Sequence, residues 1–83
     1  MRILIAEDDK VIADGLCRSL RQSGYAVDHE MNGVQTGLSL ATNFFDLLIL
    51  DLSLPEMTGL QVLLRLRKHN SLDHVRLARY TEF

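Results

Sequence analysis

The sequence predicts an α/β domain in which parallel strands alternate with helices, and three observations carry that expectation. Two short apolar runs, residues 2–6 and 47–50, stop at carboxylates: Glu7, Asp8 and Asp9 after the first, Asp51 after the second. Short apolar runs with such ends read as buried strands. Between and after them, apolar residues recur at helical spacing. The connections are short, which favours right-handed crossovers between parallel strands.

The first strand is Arg-Ile-Leu-Ile-Ala over residues 2–6. From Lys10 the period changes. Val11, Ile12, Leu16 and Leu20 fall near one face of a helix over residues 10–23, with Asp14, Arg18 and Arg21 elsewhere. Gly24 stands where a C-terminal cap is expected. Residues 25–30 read as a weaker strand near an edge, and Asn32-Gly33 as a turn. A short helix over residues 34–42 turns Leu38 and Ala41 inward; its central Gly37 costs about 1 kcal/mol relative to alanine. Residues 47–50 are the third strand, the most buried by composition. Residues 52–58 form a loop with the chain's only proline, Pro55. The third helix runs over about residues 59–69. Leu60, Val62, Leu63 and Leu66 give it a broad apolar face, and Arg65, Arg67 and Lys68 complement its dipole. From Asn70 the pattern breaks. Val75, Leu77 and Arg79 alternate with His74, Arg76 and Ala78, which suits an exposed edge strand at best, and equally a frayed helical extension or a disordered tail. An irregular tail is the expectation.

Eighty-three residues bound the chain to one small domain, a size that buries about 60% of its unfolded surface and is marginally stable. An apolar fraction of 47% argues against disorder. A net charge of −2 argues against non-specific nucleic-acid binding. No apolar run approaches the ~20 residues that span a bilayer, and one arginine, a short apolar run and an acidic triplet do not make a signal peptide. A single cysteine, Cys17, allows no internal disulfide and suits a reducing cytoplasm. Its helical setting predicts a packed, inert thiol. The expected location is cytoplasmic, with no membrane contact. His29, His69 and His74 share no metal-ligand spacing and read as solvated. Arg65, Arg67, Lys68, Arg76 and Arg79 read as a charged helix end and tail rather than an anion-binding patch.

If residues 2–6 and 47–50 are neighbouring strands, Glu7, Asp8 and Asp51 converge at the sheet end where open α/β sheets bind ligands. Three carboxylates that close raise one another's pKa unless a cation neutralises them. Oxygen-only ligands suit Mg²⁺ or Mn²⁺, with a backbone carbonyl near Ser53 completing the set. Such a site prepares a carboxylate oxygen to attack a phosphoryl group in line. Equally, the acidic residues simply occupy exposed strand ends; spacing alone does not choose.

At these residues the sequence strongly resembles the receiver domain of bacterial two-component response regulators, in particular the subgroup with a winged-helix DNA-binding output domain. The resemblance lies in residues 2–9, Ser23-Gly24-Tyr25, Asn32-Gly33, residues 45–51 and Leu54-Pro55-Glu56-Met57-Thr58-Gly59, with Pro55 four and Gly59 eight positions after Asp51. It covers residues 1–71. It implies a flavodoxin-like parallel sheet, of which this chain builds the 2-1-3 part. It also implies that Asp51 accepts a phosphoryl group from a phosphohistidine on a sensor histidine kinase. Glu7 and Asp8 would bind Mg²⁺ with Asp51 and the Ser53 carbonyl, and Asp9 would lie outside the ligand set. The helix over residues 10–23 would be the kinase-docking face.

The family has five strands, and a Thr or Ser switch residue ends the fourth. Thr81 is the only threonine nearby, although an apolar strand does not precede it and the family spacing falls nearer Arg79. The family's lysine and aromatic switch residue have no counterpart. The expectation is therefore a C-terminally truncated receiver, family-like over residues 1–71 with an atypical tail over 72–83, from a frameshift, premature stop or truncated gene. It would hold no DNA-binding domain and be a phosphoacceptor module rather than an enzyme. The far edge of its third strand would be open to self-association. Two other readings stand beside it. One is an inactive fragment acting only by protein–protein association. The other is a small metal-dependent phosphatase, against which Ser53 occupies the position of the expected general acid.

Overall fold

The computed structural model describes residues 1–54, 58–68 and 75–80. Strand and helix alternate: β1 (Arg2–Ala6), α1 (Lys10–Gln22), β2 (Ala26–Glu30), α2 (Gly33–Thr42), β3 (Leu47–Asp51), α3 (Gly59–Lys68) and β4 (Arg76–Tyr80). The strands form one parallel sheet in the order β2-β1-β3-β4.

Because successive strand residues point to opposite faces, the sheet feeds two cores. Leu4, Ala6, Leu48 and Leu50 pack with Leu40 of α2 and with Val62, Leu63 and Leu66 of α3. On the other face Ile3, Ile5 and Val27 pack with Cys17 of α1, flanked by half-buried Leu47 and Ile49. Cys17 is a free thiol packed in this core, as expected, and burial raises its pKa.

Short polar side chains set the helix starts by satisfying the first free N–H groups. Asp9 caps α1, accepting from the N–H groups of Val11 at 2.9 Å and Ile12 at 3.2 Å. Asn32 caps α2 through the Gln35 N–H at 2.8 Å. Thr58 and Gln61 bond reciprocally at the start of α3, a capping box: the Thr58 N–H donates to Gln61 Oε1 at 2.9 Å, and the Gln61 N–H to Thr58 Oγ1 at 3.2 Å. Gly24 follows α1 at φ 94°, where a side chain would be strained.

The structure corrects several faces. In α1 the inward stripe is Ala13, Leu16, Cys17 and Leu20, while Val11 is 82% exposed and Ile12 also lies outside the core. Leu16 and Leu20 fix the stripe, and Val11 sits about half a turn away from it. In α2 Gly33, Thr36 and Leu40 face inward rather than Leu38 and Ala41; the buried Thr36 hydroxyl is satisfied by the Asn32 carbonyl at 2.8 Å. In α3 Leu60 is exposed.

The tail differs most from expectation. Residues 76–80 are not irregular but form β4, an edge strand paired in parallel with the whole of β3. The far edge of β3 is therefore covered. The Arg76 N–H donates to the Asp46 carbonyl at 2.9 Å and the Leu52 N–H to the Tyr80 carbonyl at 2.8 Å, closing the ladder at both ends. Leu77 and Val75 pack against the α2–α3 core. The driving force is the edge of a buried strand, whose free N–H and C=O groups recruit a partner, with Leu77 and Val75 adding apolar contact.

At the opposite end of β3 a clasp joins it to β1. The Asp46 N–H donates to the Arg2 carbonyl at 2.8 Å, and the Arg2 N–H returns a bond to Asp46 Oδ2 at 2.7 Å. No helix among the described residues is long and apolar enough to cross a membrane.

Candidate functional site

β1 and β3 are neighbours, level at their carboxyl ends, with Ala6 opposite Leu50. Glu7 leaves β1 immediately after Ala6, and Asp51 ends β3, so both carboxylates arrive at the same sheet end. Each is fully buried. Asp8 stands beside them at the surface, and one oxygen from each of the three lies within 4.8 Å of the others.

The two oxygens of Asp51 have different surroundings. Oδ1 accepts the Ser53 N–H at 2.9 Å. Oδ2 is buried and has no hydrogen-bond partner, an arrangement that costs free energy unless a ligand supplies the missing contact. Burial raises the Asp51 carboxyl pKa above the ordinary aspartate value; the Ser53 N–H opposes the shift, and the nearby Glu7 and Asp8 carboxylates add to it.

Glu7 is held from three sides. Its N–H donates to the Glu30 carbonyl at 3.0 Å, and its own carbonyl meets His29 Nε2 at 2.7 Å. Its Oε2 accepts a long bond from the Asp9 N–H at 3.4 Å, while Oε1 accepts the Tyr80 hydroxyl at 2.7 Å. Three carboxylates around an orphaned oxygen make a hard, all-oxygen donor set, and these residues fit a small divalent cation of the Mg²⁺ type.

The sequence matches the response regulator receiver domain over residues 3–82. The chain belongs to that family. The response regulator protein PmrA of Pseudomonas aeruginosa is 44% identical over 77 residues, covering 93% of this chain and 35% of PmrA. The transcriptional regulatory protein TctD of Salmonella typhimurium is 41% identical over 68 residues, covering 82% of this chain and 30% of TctD. The receiver thus spans about a third of the length of these curated relatives. Among solved structures, the response regulator TrrA of Thermotoga maritima, in complex with Mg²⁺-BeF, superposes with a TM-score of 0.88 at 29% identity, over 99% of this chain and 70% of TrrA. Receiver domains are the phosphoacceptor modules of two-component signalling, and the four parallel strands described above are part of their flavodoxin-like sheet.

The receiver brings Glu7, Asp8 and Asp51 together as the sequence leads one to expect. Ser53 is beside Asp51, bound through its N–H. Thr81 lies outside the described residues. Asp9 is the α1 cap, a role legible in an Asp that precedes a helical run. Sequence reasoning missed Tyr80 and His29. The signal for Tyr80 was the alternation of residues 75–79: once these pair with β3, Tyr80 falls opposite Asp51.

Proposed function

We propose that Asp51 accepts a phosphoryl group from a phosphohistidine of a sensor histidine kinase, with Mg²⁺ held by Glu7, Asp8, Asp51 and the Ser53 backbone carbonyl. One observation carries the reading: Asp51 Oδ2 is buried without a partner beside two further carboxylates. A purely structural aspartate would have both oxygens satisfied or exposed. The Mg²⁺-BeF complex of TrrA, a relative of the same fold, supports the choice of cation.

The chemistry follows from the residues. The Ser53 N–H fixes the Asp51 carboxylate through Oδ1, and that carboxylate supplies the nucleophilic oxygen. A carboxylate oxygen of Asp51 bonds to phosphorus as the bond from phosphorus to the histidine nitrogen breaks; the product is an acyl phosphate, and the imidazole leaves with its electron pair. The cation supplies positive charge that offsets the carboxylates and the phosphoryl oxygens. Burial of Asp51 and Glu7 excludes bulk water from the attacking oxygen. Such a module is normally coupled to transcription regulation, a reading supported by the similarity to the transcriptional regulatory protein TctD.

The test is intact-mass measurement after incubation with Mg²⁺ and acetyl phosphate. A gain of one phosphoryl group is expected, labile in base as an acyl phosphate and absent from Asp51→Asn. Folded, Mg²⁺-loaded protein without the adduct would overturn the reading.

A further inference from the structure

We propose that the Tyr80 hydroxyl is a placeholder for the cation at Glu7: it occupies the carboxylate in the cation-free protein and is displaced when the cation binds. The inference rests on reading Glu7, Asp8 and Asp51 as a cation site, and adds a positioning residue to it. Tyr80 is fixed by backbone. It stands opposite Asp51 in the β3–β4 register, and its carbonyl accepts the Leu52 N–H at 2.8 Å. From there its hydroxyl reaches to β1's end and donates to Glu7 Oε1 at 2.7 Å.

The proton of that hydroxyl and an incoming cation seek the same carboxylate charge. A hydrogen bond to a buried carboxylate is among the strong ones where that carboxylate carries charge, and the positive end of the O–H dipole points at the oxygen. A cation that coordinates Glu7 meets this proton and turns the hydroxyl away. The unpartnered Asp51 Oδ2 lies in the same pocket, so binding satisfies one orphan at the expense of one existing bond. Removing the hydroxyl removes that cost and leaves Glu7 more poorly solvated, so cation affinity rises by about tenfold.

The experiment uses the 83-residue chain and two readouts. Free Mn²⁺ is counted by electron paramagnetic resonance during titration of wild type and Tyr80→Phe, with circular dichroism to confirm the fold of each. The expected result is a Kd about tenfold lower in Tyr80→Phe. The chain has two tyrosines and no tryptophan, so Tyr25→Phe leaves Tyr80 as its only strong fluorophore. A phenol bonded to a carboxylate is quenched, and titration with Mg²⁺ should raise Tyr80 emission saturably as the bond is released. This second readout keeps Tyr80 itself, so it decides the matter even where Tyr80→Phe fails to fold. Mg²⁺ binding with unchanged emission, or folded Tyr80→Phe that binds Mn²⁺ no more tightly than a wild type that does bind, overturns the placeholder and leaves the cation site standing. Absence of binding to wild type and folded Tyr80→Phe alike overturns the cation site, and the placeholder with it.

Discussion

Replacing Asp51 by asparagine is expected to stabilise the cation-free protein. Asp51 and Glu7 are fully buried, and carboxylate oxygens of the two lie within 4.8 Å. Two full charges at that separation repel by about 3 kcal/mol at an effective dielectric constant of about 20. Partial proton uptake by the pair and the Tyr80 hydroxyl on Glu7 relieve part of this, so a net gain of about 1–2 kcal/mol is expected. Asparagine keeps an oxygen for the Ser53 N–H, and it places an amide donor where Oδ2 had no partner. Urea unfolding followed by circular dichroism, in chelator, reads the difference directly; in thermal unfolding it corresponds to about 4–8 °C per kcal/mol for a domain of this size. With Mg²⁺ at about 100-fold its Kd, wild type gains about 2.7 kcal/mol that the variant lacks, and the ranking reverses. Wild type more stable than Asp51→Asn in chelator would refute the reasoning, because Asp51 would then carry no unmet charge.

Two further outcomes are expected. In chelator, wild-type stability should decline as pH rises through the raised Asp51 pKa, because above the ordinary value of 3.8 the folded state holds this proton more tightly than the unfolded one. The advantage of Asp51→Asn should therefore be smallest at low pH and largest above the folded pKa; urea titrations of both proteins across that range check it, and an advantage that shrinks with pH contradicts the shift. In the helices, Val11→Ser should change stability by less than about 0.5 kcal/mol, whereas Leu63→Ala, in the α2–α3 core, should lose about 2–5 kcal/mol; comparable losses in the two would restore the Val11 face to the core.

The sheet end and its three carboxylates were legible because they depend on local signals: apolar runs that stop at Glu7 and Asp51, with helical spacing between. Helix phase was less so. Val11 and Ile12 are as apolar as Leu16, and the sequence does not say which apolar residues a helix turns inward; small Ala13 and Cys17 let α1 approach the sheet, a packing criterion rather than a hydropathy one. The cap of Thr58 with Gln61 is written in the sequence as a Thr-x-x-Gln spacing. β4 could not be read locally. Arg-Leu-Ala-Arg-Tyr has two arginines that interrupt any apolar run, and its strand state comes from the edge it completes. Tyr80 was hidden with it, since its place in the pocket depends on the register between β3 and β4.

The Arg2–Asp46 clasp has a consequence for the fidelity of folding. β3 is apolar on both faces, with Leu47 and Ile49 toward α1 and Leu48 and Leu50 toward α2 and α3. A strand of this kind loses little burial when it slips by one residue, yet a slip sends every side chain to the opposite face. Asp51 would then turn from Glu7 into the leucine core. Reciprocal backbone and side-chain bonds at Asp46, at the far end of the strand from the pocket, penalise that error. The facing of Asp51 is thus set from the far end of its strand: loss of the Asp46 bonds is expected to show as a fraction of molecules folded out of frame rather than as a weaker site in all of them.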